Sequence, residues 1–144
     1  MKEDKPIIVD TNIIFSSLLR KESPFYELLL TTDYQFYTCE LTVVEIFKHK
    51  EKIVKLSELS EEEIIKFYHQ LLKRLNLFKE DLIETHNWNE AYRLCKDIDE
   101  TDTPFVALVK QLDGLLFTGD KILKDGLAAK GFTSFFEHKK SNDT

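Results

Sequence analysis

Glycine and proline are scarce, at 4 and 3 in 144 residues, which excludes collagen-like and low-complexity classes and disfavours an all-β chain of many tight turns. Cysteine is rarer still. Cys39 and Cys95 stand far apart, match no C-x-x-C or zinc spacing, and read as reduced, buried thiols. No apolar run approaches the ~18–20 residues of a membrane span, and the opening MKEDKPIIVD puts acids and a proline where a signal peptide would need its apolar stretch. A soluble, cytoplasmic protein with no membrane contact is expected. Positive charge is also in deficit. Twenty basic against 26 acidic side chains leave a formal charge of −6, the wrong sign for binding nucleic acid by bulk electrostatics. Walker A, G-x-G-x-x-G, G-x-S-x-G and H-E-x-x-H motifs are all missing.

What is present suits one domain of ordinary size. A chain of this length can bury roughly 68–70% of its unfolded surface, and 42% hydrophobic and 12% aromatic residues supply the core. A single domain over residues 1–138 is expected, with 139–144 as a disordered tail.

Pro6-Ile7-Ile8-Val9, flanked by charge and then by Asp10-Thr11-Asn12, reads as a buried parallel strand. A helix follows over Ile13 to Leu19, and Ser23-Pro24 caps a second one through Leu30. Tyr34 to Cys39 reads as a strand. Glu40 to Leu56 reads as one amphipathic helix with a solvated lysine face from Lys48 to Lys55. Ser60 and Glu63 form a capping box for a helix to about Leu75. Leu82-Ile83-Glu84 is expected as a short strand, and Asn87 or Asn89 as the cap of a helix through Cys95. Thr101 or Thr103, with Pro104, starts the helix Phe105 to Leu112, which Gly114 closes. Leu115 to Thr118 is a buried strand, Lys121 to Ala129 a helix, and Gly131-Phe132-Thr133 a last strand. Strands alternating with helices imply right-handed crossovers and a mainly parallel sheet.

In such a sheet ligands bind outside the carboxyl ends of the strands, and two aspartates stand there. Asp10 ends the first strand and Asp120 follows Leu115–Thr118 after Gly119. Glu45 lies among Leu41, Val44 and Phe47, and Asp99 and Asp102 stand at i and i+3 before the Pro104 helix. Each has an ordinary explanation: the aspartates as helix caps or first-turn acids, Glu45 as the partner of Lys48 or His49. Gathered together, however, carboxylates repel, and burial makes them costly unless they are protonated, paired or bound to metal. Oxygen ligands suit Mg²⁺ or Mn²⁺, and such ions activate water and stabilise the leaving oxygen in phosphodiester cleavage. Asn12 and Thr118 are candidates to hold the carboxylates in place. His49, His69, His86 and His138 show no ligand spacing and read as surface residues. Trp88, Tyr92 and most phenylalanines read as core rather than as base-stacking platforms, with Phe15 a candidate wall near Asp10.

In order, Ile7-Ile8-Val9-Asp10-Thr11-Asn12, Glu45 in a helix, Asp99-Glu100-Thr101-Asp102-Thr103-Pro104-Phe105-Val106-Ala107-Leu108, and Phe117-Thr118-Gly119-Asp120-Lys121-Ile122-Leu123 resemble the PIN-domain family. The resemblance runs from Pro6 to about Phe132. It implies a three-layer αβα sandwich around a mainly parallel sheet of about five strands, and a metal-dependent ribonuclease acting on single-stranded RNA. By the same resemblance Asp10, Glu45, Asp102 and Asp120 match the family's acidic quartet, Asp99 a further acid found in part of it, and Asn12 and Thr118 supporting positions. Mg²⁺ or Mn²⁺, an antitoxin partner and a homodimer are implied likewise. The long helical stretch Glu40 to Leu75, and Ile13-Ile14-Phe15-Ser16-Ser17 in place of small residues, depart from the toxin members.

The resulting expectation is an endoribonuclease in which Asp10, Asp102 and Asp120, with Glu45, hold the ions. The rivals are an inert RNA-binding or scaffolding module of the same fold, and a phosphohydrolase of the haloacid dehalogenase type. The second needs D-x-D, whereas this chain has Asp10-Thr11-Asn12.

Overall fold

A computed structural model describes residues 4–137. His138 and the expected tail at 139–144 lie outside the described residues. Strand β1 (Ile7–Val9) is fully buried along its length, as befits an inner strand of a parallel sheet covered on both faces. It pairs with β2 (Phe36–Cys39) through Ile7↔Phe36 and Ile8↔Tyr37, and with β4 (Leu115–Phe117) through Ile7↔Leu115 to Val9↔Phe117. The outer strand β3 (Leu75–Phe78) joins β2, giving the all-parallel order β3-β2-β1-β4. The sheet thus has four strands, and the fifth position is reduced to a single bridge between Leu116 and Phe135.

The twofold alternation of side chains along each strand divides the core in two. Ile7, Val9, Phe36, Leu75 and Phe117 point to one face, under α1 (Thr11–Leu19), α2 (Pro24–Thr31), α3 (Glu40–Lys48), α4 (Lys50–Leu56) and α5 (Glu61–Arg74). Ile8, Cys39 and Leu116 point to the other, under α6 (Thr85–Cys95), α7 (Thr103–Leu112) and α8 (Lys121–Ala129). Helix α7 buries five consecutive residues, Phe105 to Val109, the signature of a helix with no solvent side. The three-layer αβα architecture is therefore as expected.

The chain steps from β1 to β2 to β3 in one direction, then returns past β1 to lay down β4 on the other side. The switch point lies between β1 and β4, so the crevice for a ligand opens at the carboxyl ends of those two strands. Gly114 sets their spacing: a Cβ there would stand 2.5 Å from the Pro6 carbonyl oxygen and 2.6 Å from Ile8 Cδ1. The left-handed residue ending α7 is Asp113 (φ 52°), not Gly114, a conformation Asp tolerates better than most residues.

Several local expectations are corrected. Glu40 to Leu56 is two helices, broken at His49 (ψ 16°) although no Gly or Pro marks the break. Ile46 and Ile53 on the two helices both reach the first core, while Val44 and Phe47 stay exposed. Phe47 lies instead beside Lys50 on an apolar groove of about 650 Å³ between α3, α4 and α5. The third strand is Leu75–Phe78, not Leu82–Glu84, because pairing with β2 wins over continuation of α5. Glu80–Leu82 is a 3₁₀ turn, and the anticipated last strand shifts to Phe135. Helix α6 starts at Thr85 behind Glu84, so neither Asn87 nor Asn89 caps it. Cys39 and Cys95 are free and buried as expected. Among the described residues no helix is long and apolar enough to cross a membrane.

Candidate active site

At the carboxyl end of β1 the Asp10 carboxylate caps α1, accepting from the Ile13 backbone amide at 3.0 Å. It is 3% exposed, and the Asn12 amide and the Thr118 hydroxyl both favour its charged form. Burial raises its pKa, these donors act against the rise, and the charge of Asp120 adds to it. Asn12 therefore supports Asp10 through its backbone, with its side chain exposed.

Asp120 caps α8 in the same manner, accepting from the Leu123 amide at 3.1 Å. Its own amide donates to Thr118 Oγ1 at 3.1 Å. The buried Thr118 hydroxyl thus holds the Asp120 backbone and also favours the charged form of Asp10.

Asp99 caps a 3₁₀ turn, Glu100–Asp102, and accepts from the Thr101 amide at 3.0 Å and the Thr101 hydroxyl at 2.6 Å. Asp102 differs from the other three: it occupies the cap position of α7 but makes no side-chain capping bond. Burial, then the charges of Asp99, Asp10 and Asp120, push its pKa up to about 7. Among the described residues no Lys or Arg ion-pairs with any of these four aspartates.

Glu45 reaches the same cleft, about 880 Å³ in volume, whose walls include Asp10, Asp99, Asp102, Phe15, His49 and Tyr92. Asp120 is not among the lining residues, although Asp10 and Asp102 both feel its charge. Glu45 is paired with Lys48 at 3.7 Å and His49 at 3.9 Å on its own helix. A chain of hydroxyls fixes that helix against β1. Thr38 Oγ1 donates to the Val9 carbonyl at 2.8 Å, lies 3.2 Å from Thr42 Oγ1, and Thr42 lies 3.0 Å from Thr11 Oγ1. Glu80 Oε1 accepts from the Leu41 amide at 2.7 Å in the first turn of α3.

Among the described residues no group of three or more Asp, Glu, His or Cys side chains is gathered tightly enough to hold a metal ion unaided. The donor set nevertheless fits a hard cation, since every candidate ligand is a carboxylate oxygen. Mg²⁺ keeps several waters and takes only one or two carboxylates in many sites, so a complete protein cage is not required.

Compared with known families, residues 8–139 match the model of the PIN domain. The chain belongs to the PIN-domain family. PIN domains are generally nucleases and generally use divalent metals. Among solved structures, PAE2754 from Pyrobaculum aerophilum is similar in fold, with a TM-score of 0.58 at 13% identity over 85% of this chain and 79% of that one. No curated protein matches the chain.

In this PIN domain the ordinary explanations of the acids are largely true as far as they go. Asp10, Asp99 and Asp120 are caps, and Glu45 has the basic neighbours that offered an alternative role. Capping leaves a second carboxylate oxygen on each aspartate, so both roles coexist. Sequence reasoning passed over Thr11, Thr38, Thr42 and Glu80, which hold α3 in place. Their partners lie 29 to 39 residues away, so no local pattern announces them. Tyr92 was assigned to the core but is 48% exposed on the cleft wall. The helical face that buries Ala91 and Cys95 turns it outward.

Proposed function

We propose that this PIN domain is a divalent-metal-dependent endoribonuclease cutting single-stranded RNA. Asp10, Asp102 and Asp120 are the principal ligands of Mg²⁺ or Mn²⁺, Asp99 and Glu45 are additional acids, and Thr118 and Asn12 are supports. Asp102 carries this reading: a half-buried carboxylate with no capping duty and no cation faces three other aspartates at the switch point. Such an arrangement is costly unless a cation or a proton joins it. When bound, the ion supplies water activation and charge neutralisation at the phosphate.

The chain's own residues hold the frame. The Ile13 amide fixes Asp10, and the Asn12 amide and the Thr118 hydroxyl favour its charged form. The Asp99 cap fixes the turn that presents Asp102. Lys48, beside Glu45, puts positive charge near the cleft where a phosphate backbone would approach. A toxin role, an antitoxin partner and a homodimer rest on the resemblance alone, and the nuclease chemistry requires none of them.

The test is cleavage of a single-stranded oligoribonucleotide with Mg²⁺, with Mn²⁺ and with EDTA, by wild type and Asp10→Asn. Metal-dependent cleavage lost in the variant upholds the assignment; equal activity in both overturns it. The absence of a ready three-acid cage among the described residues favours one rival, an RNA-binding module without turnover. Calorimetric titration separates them, since the inert module shows no saturable Mn²⁺ binding near neutral pH.

A further inference from the structure

The cleft is chemically two-sided. Its acids lie at the β1 end, on α3 and on the turn before α7, whereas α6 lends the wall no acid but two aromatic rings: Trp88 and, one turn on, Tyr92. Residues at i and i+4 share a helix face, so the two rings form one wall. Trp88 is half-buried, and its Nε1 donates to the Glu80 carbonyl at 3.2 Å, which fixes its ring. Glu80 also holds the start of α3, so the aromatic wall and the helix of Glu45 share one anchor. Tyr92 has no such tether, and nearly half of its surface is open. An exposed aromatic alone needs no explanation. Here it faces the cavity that contains the carboxylates.

Resting on the nuclease reading above, we propose that Tyr92, backed by Trp88, is the platform on which an unpaired base beside the scissile phosphate stacks. A base can lie on an aromatic ring only when it is free of a duplex. Stacking tolerates any base, because each has a π-face. Tyr92 is thus a specificity-determining residue that selects single strands without selecting sequence, and it offsets the poor attraction of an acidic protein for RNA. Its hydroxyl has no part in this, so phenylalanine should replace it.

The test uses the full chain, a mixed-sequence single-stranded RNA 10-mer, and a set of the same RNA with one abasic position moved along it. With Mn²⁺, Tyr92→Leu is expected to raise KM about tenfold, the cost of losing one stacked base, with kcat little changed and Tyr92→Phe like wild type. At one position an abasic site should cost wild type a similar factor and cost Tyr92→Leu nothing further. That coincidence would not arise from a merely structural role. Trp88 is the only tryptophan, so its emission reports RNA binding independently of turnover.

If wild type cleaves and Tyr92→Leu has an unchanged KM, the platform falls and the nuclease stands. If nothing cleaves, yet RNA shifts Trp88 emission with affinity weakened in Tyr92→Leu and kept in Tyr92→Phe, the nuclease falls and the platform stands. Loss of function in Tyr92→Phe equal to that in Tyr92→Leu overturns stacking, and so does an abasic series with no sensitive position. If Tyr92→Leu fails to fold, Tyr92→Gln carries the same comparison, and a wild-type abasic series with no sensitive position still overturns the platform.

Discussion

Asp10 and Glu45 face the same cleft but are held in opposite ways. Asp10 is 3% exposed and held by the Ile13 backbone amide, with the Asn12 amide and the Thr118 hydroxyl favouring its charge. The Glu45 side chain is 36% exposed, ion-pairs with Lys48 on its own helix and lies 3.9 Å from His49 at the helix end. The strand-end half of the cleft is built by the sheet itself, since β1, β4 and the helices they feed determine where Asp10 and Asp120 stand. The helix half hangs on α3, whose placement depends on three threonine hydroxyls and on Glu80. Rigid groups suit ion binding, which tolerates little misplacement. Solvated ion pairs contribute little energy and exchange partners easily, which suits a rim that meets a flexible substrate.

The largest effect should come from the rigid half. Asp10→Asn is expected to lower metal-dependent kcat/KM by about 10²–10³-fold, the scale of losing a preorganised electrostatic group. Without metal its thermal midpoint should not fall, because a carboxylate disfavoured by burial has been removed. Glu45→Gln is expected to cost about tenfold in the same assay, the low end for a supporting ligand position. A loss equal to that of Asp10→Asn would abolish the distinction between the halves.

Thr42→Val probes the joint between them. It breaks the link from Thr38 to Thr11 at constant shape, for about 1 kcal/mol of stability by denaturant unfolding. Activity should fall only as far as it does in Glu45→Gln. A Thr42→Val variant as inactive as Asp10→Asn would mean that α3 aligns the whole site.

The smallest effect is a pH dependence. Asp102 titrates near 7 in the folded chain against 3.8 unfolded, so the folded state holds this proton more tightly. Its stabilising contribution is complete below about 3.8 and is lost as pH rises through about 7. In EDTA the thermal midpoint should therefore rise as pH is lowered from 8 to 5, and Asp102→Asn should flatten that slope. Adding Mn²⁺ at pH 8 should restore the lost stability in wild type. The lowered carboxyls of Glu63, Asp97 and Glu90 act below this window, where their contribution declines as they protonate.

Much of the frame was legible because it is written locally. Ile7-Ile8-Val9 announces an inner strand, Ser60 with Glu63 a helix start realised as a capping box, and Ser23-Pro24 the start of α2. What local pattern could not supply was competition between neighbours. Leu75 to Phe78 can extend α5 or pair with β2, and only the edge offered by Phe36–Cys39 decides. The break at His49 has no breaker residue, so no local pattern announces it. Tyr92 sits in a pattern that serves a core helix as well as a cleft wall, and the packing of Ala91 and Cys95 settled which.

By itself the sequence determined the layers, the parallel sheet and the strand ends that carry Asp10 and Asp120, since hydrophobic runs and caps act over a few residues. The tertiary structure decided that Asp102 makes no side-chain capping bond and feels the charges of Asp99, Asp10 and Asp120, that Thr118, which accepts from the Asp120 amide, also favours the charged form of Asp10, and that the hydroxyl chain ties Glu45's helix to β1. These are relations between charges and donors far apart in the chain. Burial and Coulomb repulsion act through space, so only the folded backbone brings them to bear.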